Sequence, residues 1–184
     1  MCIRDSFDAG TYRVTRTLYV PPGSRLVGES YSVIMSSGAF FSDMTQPQPV
    51  VQVGRASGET GAPVEWSDMI VSTQGPQAGA VLIQWNLASR GGAGPSGMWD
   101  VHERIGGFIG SNLQGNTCPA MTANGNPACV GAFLGMHVTP RASGLYLENN
   151  WLWTAGEFWP LVAVDCSFLH VLSVREDRHG EKRS

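Results

Sequence analysis

The chain has 184 residues, with 23 glycines and 11 prolines and only 15% charged side chains, well below the roughly 25% usual for globular domains. Its formal net charge is −3, and the body carries no basic stripe, so the electrostatic footprint of a nucleic-acid or acidic-lipid binder is missing. No apolar run approaches the ~18 residues of a membrane span and Met1 to Gly10 lacks the apolar stretch of a signal peptide, which points to a single turn-rich β domain without a membrane partner.

In chain order, short β-type runs are closed by Gly, Pro, Asn or Ser. They are Tyr12–Val20, Arg25–Glu29, Ser32–Met35, Val50–Val53, Val64–Thr73, Ala80–Trp85, Met98–Ile105, Ala132–Thr139 and Leu145–Thr154. None of the gaps has a capped amphipathic helical pattern, which disfavours a wound α/β sheet. Val64 and Trp66 share one parity while Met69 and Val71 share the other, so the in/out alternation must reset around Ser67-Asp68. Short strands joined by bends, with loops of unequal length, favour a parallel β-solenoid over a β-sandwich, whose hairpin loops are more regular.

The charge pattern sets the two ends apart. Residues 175–184 hold seven charged side chains in ten, whereas residues 7–156 hold seven Arg, nine Asp plus Glu and no Lys. Gly156-Glu157-Phe158 is compatible with the codons GGT GAG TTT, which contain GTGAGT, the usual start of a spliceosomal intron. Met1-Cys-Ile-Arg-Asp-Ser6 is compatible with codons that look like the transposon end used in sequencing libraries. Residues 1–6 are therefore expected to be adapter, residues 7–155 a partial β domain, and residues 156–184 an intron read-through tail, the terminal pieces lying outside fold reasoning.

Of the four cysteines, Cys2 and Cys166 fall in those terminal pieces. Cys118 and Cys129 flank a loop rich in turn formers, and a disulfide closing it would stabilise by about 3 kcal/mol. Such a bond fits an oxidising, extracellular compartment. The alternative is a pair of free thiols; two cysteines without nearby histidines make a poor zinc site.

The segment Gly10-Thr-Tyr-Arg-Val-Thr15 through Pro21-Pro-Gly-Ser-Arg-Leu-Val-Gly-Glu29 resembles the opening of pectate-lyase-like right-handed parallel β-helices. A narrower match covers Gly10 to Ala155. Trp66-Ser-Asp-Met-Ile70, Thr73-Gln-Gly-Pro76, Met98-Trp-Asp-Val-His102, Arg104-Ile-Gly-Gly107 and Leu145-Tyr-Leu-Glu-Asn-Asn-Trp-Leu-Trp-Thr154 are among the segments similar to fungal glycoside hydrolase family 55. The resemblance implies an all-β, right-handed parallel β-helix, here incomplete, from the start of the second of two tandem helices. It implies a secreted, exo-acting glucan 1,3-β-glucosidase that inverts configuration and needs no cofactor. Its partners would be β-1,3-glucan, the first β-helix and the later coils of the same parent chain. The family pattern continues after Ala155 as Asp-His-Asp-Leu-Asp, whereas this chain reads Gly-Glu-Phe-Trp-Pro. The family's paired catalytic glutamates belong to later coils, so no catalytic residue is assigned and the chain alone is expected to be inactive.

An inverting glycosidase needs two carboxyls about 6.5–9.5 Å apart, and spacing along the sequence selects no such pair. Glu148, just before Asn149-Asn150, is the candidate substrate-binding carboxylate, with a solvent-facing turn residue as the alternative. Trp151 and Trp153 lie two apart on one side of a strand, where indoles could stack on glucose rings or fill the core. Asp100, His102 and Arg104 share one side, opposite Trp99, Val101, Glu103 and Ile105, and read as a hydrogen-bonded surface ladder more readily than as a catalytic or metal-binding set. Gly91-Gly-Ala-Gly-Pro95 lacks the Gly-Lys-Ser/Thr of a phosphate loop. A noncatalytic polysaccharide-binding module and a structural β-solenoid element remain the alternatives to the hydrolase fragment.

Overall fold

A computed structural model describes residues 3–89, 94–118, 126–154 and 165–166. The strands are β1 (Ile3–Phe7), β2 (Thr11–Val14), β3 (Leu18–Val20), β4 (Ser24–Ser36), β5 (Gln48–Val53), β6 (Glu59–Gly61), β7 (Glu65–Thr73), β8 (Ala80–Trp85), β9 (Leu87–Ser89), β10 (Ser96–Ile105), β11 (Leu134–Val138), β12 (Leu145–Glu148), β13 (Leu152–Thr154) and β14 (Asp165–Cys166). Two 3-10 turns, Ala39–Phe41 and Pro127–Cys129, are the only helical elements among the described residues. The fold is all-β, and every pairing between these strands is parallel.

The chain visits three sheets in rotation. β4, β5 and β6 are followed by β7, β8 and β9 in the same sheet order, then by β10 and β11. The first sheet runs β1-β4-β7-β10-β12, with β2 on β4 and β13 on β10; the second runs β14-β11-β8-β5-β3; the third pairs β6 with β9. A bridge from Ala88 to Ser143 extends the third sheet by one more pass.

Because partners are one pass apart and in register, like side chains stack in ladders. Leu26, Trp66, Met98 and Leu147 form one such row; Val20, Val53, Trp85 and Val138 form another across the second sheet. These rows close a continuous interior that includes Ile34, Met69, Leu82, Leu87 and Val101. Asn86 at the second corner is fully buried and is satisfied by donating to Gly54 O at 3.1 Å and accepting from Gln84. Burying a side-chain amide costs little once its hydrogen bonds are made.

The alternation shift expected at Ser67-Asp68 is present. Trp66 and Met69 are both buried, Ser67 and Asp68 both reach outward, and Asp68 has φ 58°. A left-handed residue turns the strand by one step without breaking the ladder, and Asp and Asn are the non-glycine residues that adopt it most readily.

Several expected runs are divided differently. Tyr12–Val20 splits into β2 and β3, because the chain leaves the first sheet for the second between them. Arg25–Glu29 and Ser32–Met35 fuse into β4, and Leu145–Thr154 splits around Asn149 at φ 53°. β6 and β9 escape the pattern because each offers only three residues, too few to show an alternation.

The terminal pieces set apart in the sequence are only partly described. Residues 3–6 lie in β1, whose backbone pairs with the free edge of β4, a contact that any extended segment can make. Of residues 156–184, only the backbone of β14 lies within the described residues.

Candidate carbohydrate-binding face

The outer side of the first sheet is divided by a column of left-handed corner residues. Asp68, Asp100 and Asn149 have φ of 58°, 53° and 53° and stand opposite one another in the registers of β7, β10 and β12–β13. At the same level of β4 the four residues Gly28 to Tyr31 face the single Asp68. Gly28 crosses β7 so closely that a Cβ there would meet Asp68 O at 2.3 Å, so glycine is needed for the approach. The extra residues carry Tyr31 outward over β7 and towards β10.

Side chains link this column. Asn149 donates through Nδ2 to the Asp100 carboxylate, and Trp151 Nε1 donates to Asn149 Oδ1 at 2.6 Å. Asn150 donates to the carbonyls of Met98 and Glu148 at 3.0 and 2.9 Å. Three consecutive residues thus anchor the strand turn, and the indole N–H of Trp151 is satisfied by the protein.

Trp151 and Trp153 are 38% and 39% exposed and lie on the surface rather than in the core. Their ring centroids are 5.5 Å apart with planes at 75°, so they present two faces meeting at an angle. His102 is buried, at 5% exposure. It stacks on Trp153 at 5.2 Å and 26° and on Tyr31 at 5.5 Å and 28°. Burial holds the His102 imidazole pKa below its usual value, against the opposing pull of the Asp100 and Asp68 carboxylates. Its Nδ1 has no hydrogen-bond partner among the described residues.

Beside Trp153 lies a cavity of about 420 Å³ lined by Arg104, Gly106, Gly107, Trp153 and Thr154. The Arg104 guanidinium sits 4.9 Å above the Phe108 ring and donates to Gly107 O at 3.3 Å. On the other side of the corner column, Trp99 and Tyr146 form a second aromatic pair at 6.1 Å. Glu148 is exposed and accepts from Tyr146 Oη at 3.0 Å, which raises the tyrosine pKa through that hydrogen bond and the carboxylate charge.

The alternation inferred for Trp99 to Ile105 requires correction. Asp100 is itself a left-handed corner, so Trp99 faces outward and does not share a side with Val101, Glu103 and Ile105. Its indole folds over Gly97, where a Cβ would lie 2.2 Å from the ring. Nor do Asp100, His102 and Arg104 form a hydrogen-bonded ladder: Asp100 binds Asn149, His102 stacks between rings and Arg104 covers Phe108.

Glu103 points inward and is 4% exposed. It occupies the ladder Ile34, Val71, Glu103, Leu152, and burial pushes its carboxyl up to about 8. Cys118 and Cys129 are joined by a disulfide with Cα atoms 5.7 Å apart; residues 119–125 between them lie outside the described residues. Among the described residues no group of three or more His, Cys, Asp or Glu could hold a metal ion, and no helix is long and apolar enough to cross a membrane.

Comparison with known proteins identifies relatives of this chain. It is 54% identical over 149 residues to a glucan 1,3-beta-glucosidase of Cochliobolus carbonum, a match covering 81% of this chain and 18% of that protein. The chain is a homologue of fungal 1,3-β-glucan hydrolases. A probable glucan endo-1,3-beta-glucosidase of Arthroderma benhamiae is 47% identical over 152 residues, covering 81% of this chain and 17% of its own length. A non-secreted LysM effector of Penicillium expansum is 42% identical over 146 residues, covering 79% of the chain and 10% of its own length. The chain thus spans less than a fifth of each of these relatives. No family model matches it.

Proposed function

We propose that the chain is an incomplete right-handed parallel β-helix from a secreted, exo-acting, inverting β-1,3-glucan hydrolase of the glycoside hydrolase family 55 type. Residues 7–155 are the partial helix, residues 1–6 adapter and residues 156–184 intron read-through. Its role is to hold the glucan while the catalytic carboxyls come from other parts of the parent protein. The observation that carries this reading is the outward, half-open pair Trp151 and Trp153, set at 75°.

The angle bears on the substrate. Sugar rings stack their apolar faces on aromatic rings. A β-1,4-glucan is a flat ribbon whose rings cannot lie flush on two indoles at such an angle, whereas β-1,3 linkages curve the chain and reorient successive rings. Glu148 stands across the corner from the indoles, where its carboxylate can accept from sugar hydroxyls. The disulfide supports an extracellular setting.

Two measurements test the reading. The purified chain should bind laminarin, a soluble β-1,3-glucan, yet release no glucose from it; binding should fall at least tenfold in the Trp151→Ala/Trp153→Ala double variant, the usual weight of a central aromatic contact. Hydrolysis by the purified chain would overturn the assignment of catalysis to other parts of the parent. A noncatalytic glucan-binding module accounts for the same aromatic face, and spliced transcript sequence resuming after Ala155 with an Asp-His-Asp continuation separates it from the hydrolase fragment.

A further inference from the structure

We propose that His102 is a positioning residue that sets the ring plane of Trp153 by stacking against it from the neighbouring strand. The inference deepens the glucan-binding reading and rests on it only for the ligand; the arrangement of the rings is tested separately.

Tyr31 and Trp153 come from strands on opposite sides of β10, reaching His102 from the β4 insertion and from β13 respectively. Both rings lie within 30° of parallel to the imidazole, at 5.5 and 5.2 Å, within the range of favourable offset stacking. His102 is therefore the middle plate of a three-ring pile that spans the first sheet. The buried imidazole also meets the Trp151 ring edge-on at 6.3 Å, and all three of its ring neighbours are more exposed than it is. The stack against the imidazole on one face and the Trp151 ring 5.5 Å away together fix the plane of the half-exposed Trp153 ring.

A hydrogen-bonding role explains less. Nδ1 has no partner among the described residues, the adjacent Glu103 points into the interior, and Asp100, two residues back, is engaged by Asn149. What the site uses is the flat, compact ring. A smaller side chain would take away the stacked support of Trp153 and leave only its edge contact with Trp151; a phenyl ring would preserve the pile. Such fixing of an aromatic anchor raises affinity by lowering the ordering cost of binding.

The test compares His102→Ala with His102→Phe in the full 184-residue chain. Laminarin binding should weaken by about tenfold in His102→Ala and stay within about twofold of wild type in His102→Phe, an affinity effect expected of lost preorganisation. Equal affinity in all three proteins, or equal loss in both variants, would overturn the proposal. The second arm needs no glucan. By NMR, the His102 Hε1 resonance, identified by its absence in His102→Phe, should be displaced upfield by the flanking rings, and Trp153→Leu should remove much of that displacement. An undisplaced resonance contradicts the pile whatever the ligand. A displaced resonance in a chain that binds no laminarin retains the pile and rejects the glucan reading.

Discussion

Glu103 stands directly opposite Val71 in an interior ladder that is otherwise aliphatic, with Ile34 beyond Val71 and Leu152 on the other side. A carboxyl in such a row is retained most easily in its neutral form, since a buried charge without a partner is costly.

Stability should therefore fall as pH rises. The Glu103 carboxyl is raised from 4.5 to about 8 by burial, so the folded state holds the proton more tightly than the unfolded chain. Its stabilising contribution is complete below pH 4.5, declines as pH rises towards 8, and is lost above it. The slope within that window is at most on the order of 1.4 kcal/mol per pH unit. Urea midpoints of wild type and Glu103→Gln should converge at acid pH and separate in favour of the variant towards pH 8; parallel profiles would show that Glu103 does not titrate on folding.

Asn149 allows backbone and side-chain roles to be separated. At φ 53°, alanine is strained and loses the bonds to Asp100 and Trp151, a destabilisation of about 1–3 kcal/mol. Glycine relieves the backbone strain alone. Asn149→Gly is expected to melt above Asn149→Ala, with both weakening laminarin binding because Trp151 loses its anchor. Undiminished binding in Asn149→Gly would remove Asn149 from the site.

Met98 lies between Trp66 and Leu147 in the interior row and is fully buried. Met98→Ala should cost about 2–5 kcal/mol through lost burial and the cavity left behind. A loss below 1 kcal/mol in denaturant titration, less than the ~2 kcal/mol lower bound for such deletions, would mean that the rows are not packed as described.

The disulfide closes a span of 11 residues and buries both cysteines beside Leu113. Reduction should lower stability by about 3 kcal/mol, read as the shift in urea midpoint between oxidised chain and chain in excess dithiothreitol. Identical midpoints would indicate that the bond constrains little in the unfolded state.

The legible parts of this fold were those with a strong local pattern. The apolar run Ala80–Trp85 coincides with β8, and the parity shift at Ser67-Asp68 marks a left-handed corner. The same corner at Asp100 was hidden because Trp99 reads as an interior residue until Gly97 is seen to make room for it. Nothing along the sequence singles out Tyr31. The signal for it lies in the register, where β4 carries four residues against one on β7, and such a mismatch appears only once the strands are paired. The sequence presents His102 by its polarity, whereas its surroundings use its ring; no spacing along the chain announces that Tyr31 and Trp153 meet on it. Glu103, opposite Val71, shares a side with Val101 and Ile105 in the sequence, but nothing local signals that a carboxyl there sits in the core.

The most direct test of a glucan-binding face is calorimetric titration of the chain with a laminari-oligosaccharide and with a cello-oligosaccharide of equal length. The angled indoles predict saturable binding of the β-1,3-linked sugar, little or none of the β-1,4-linked one, and loss of the signal in the Trp151→Ala/Trp153→Ala variant. Equal binding of both sugars, or binding that survives the double substitution, would contradict the account.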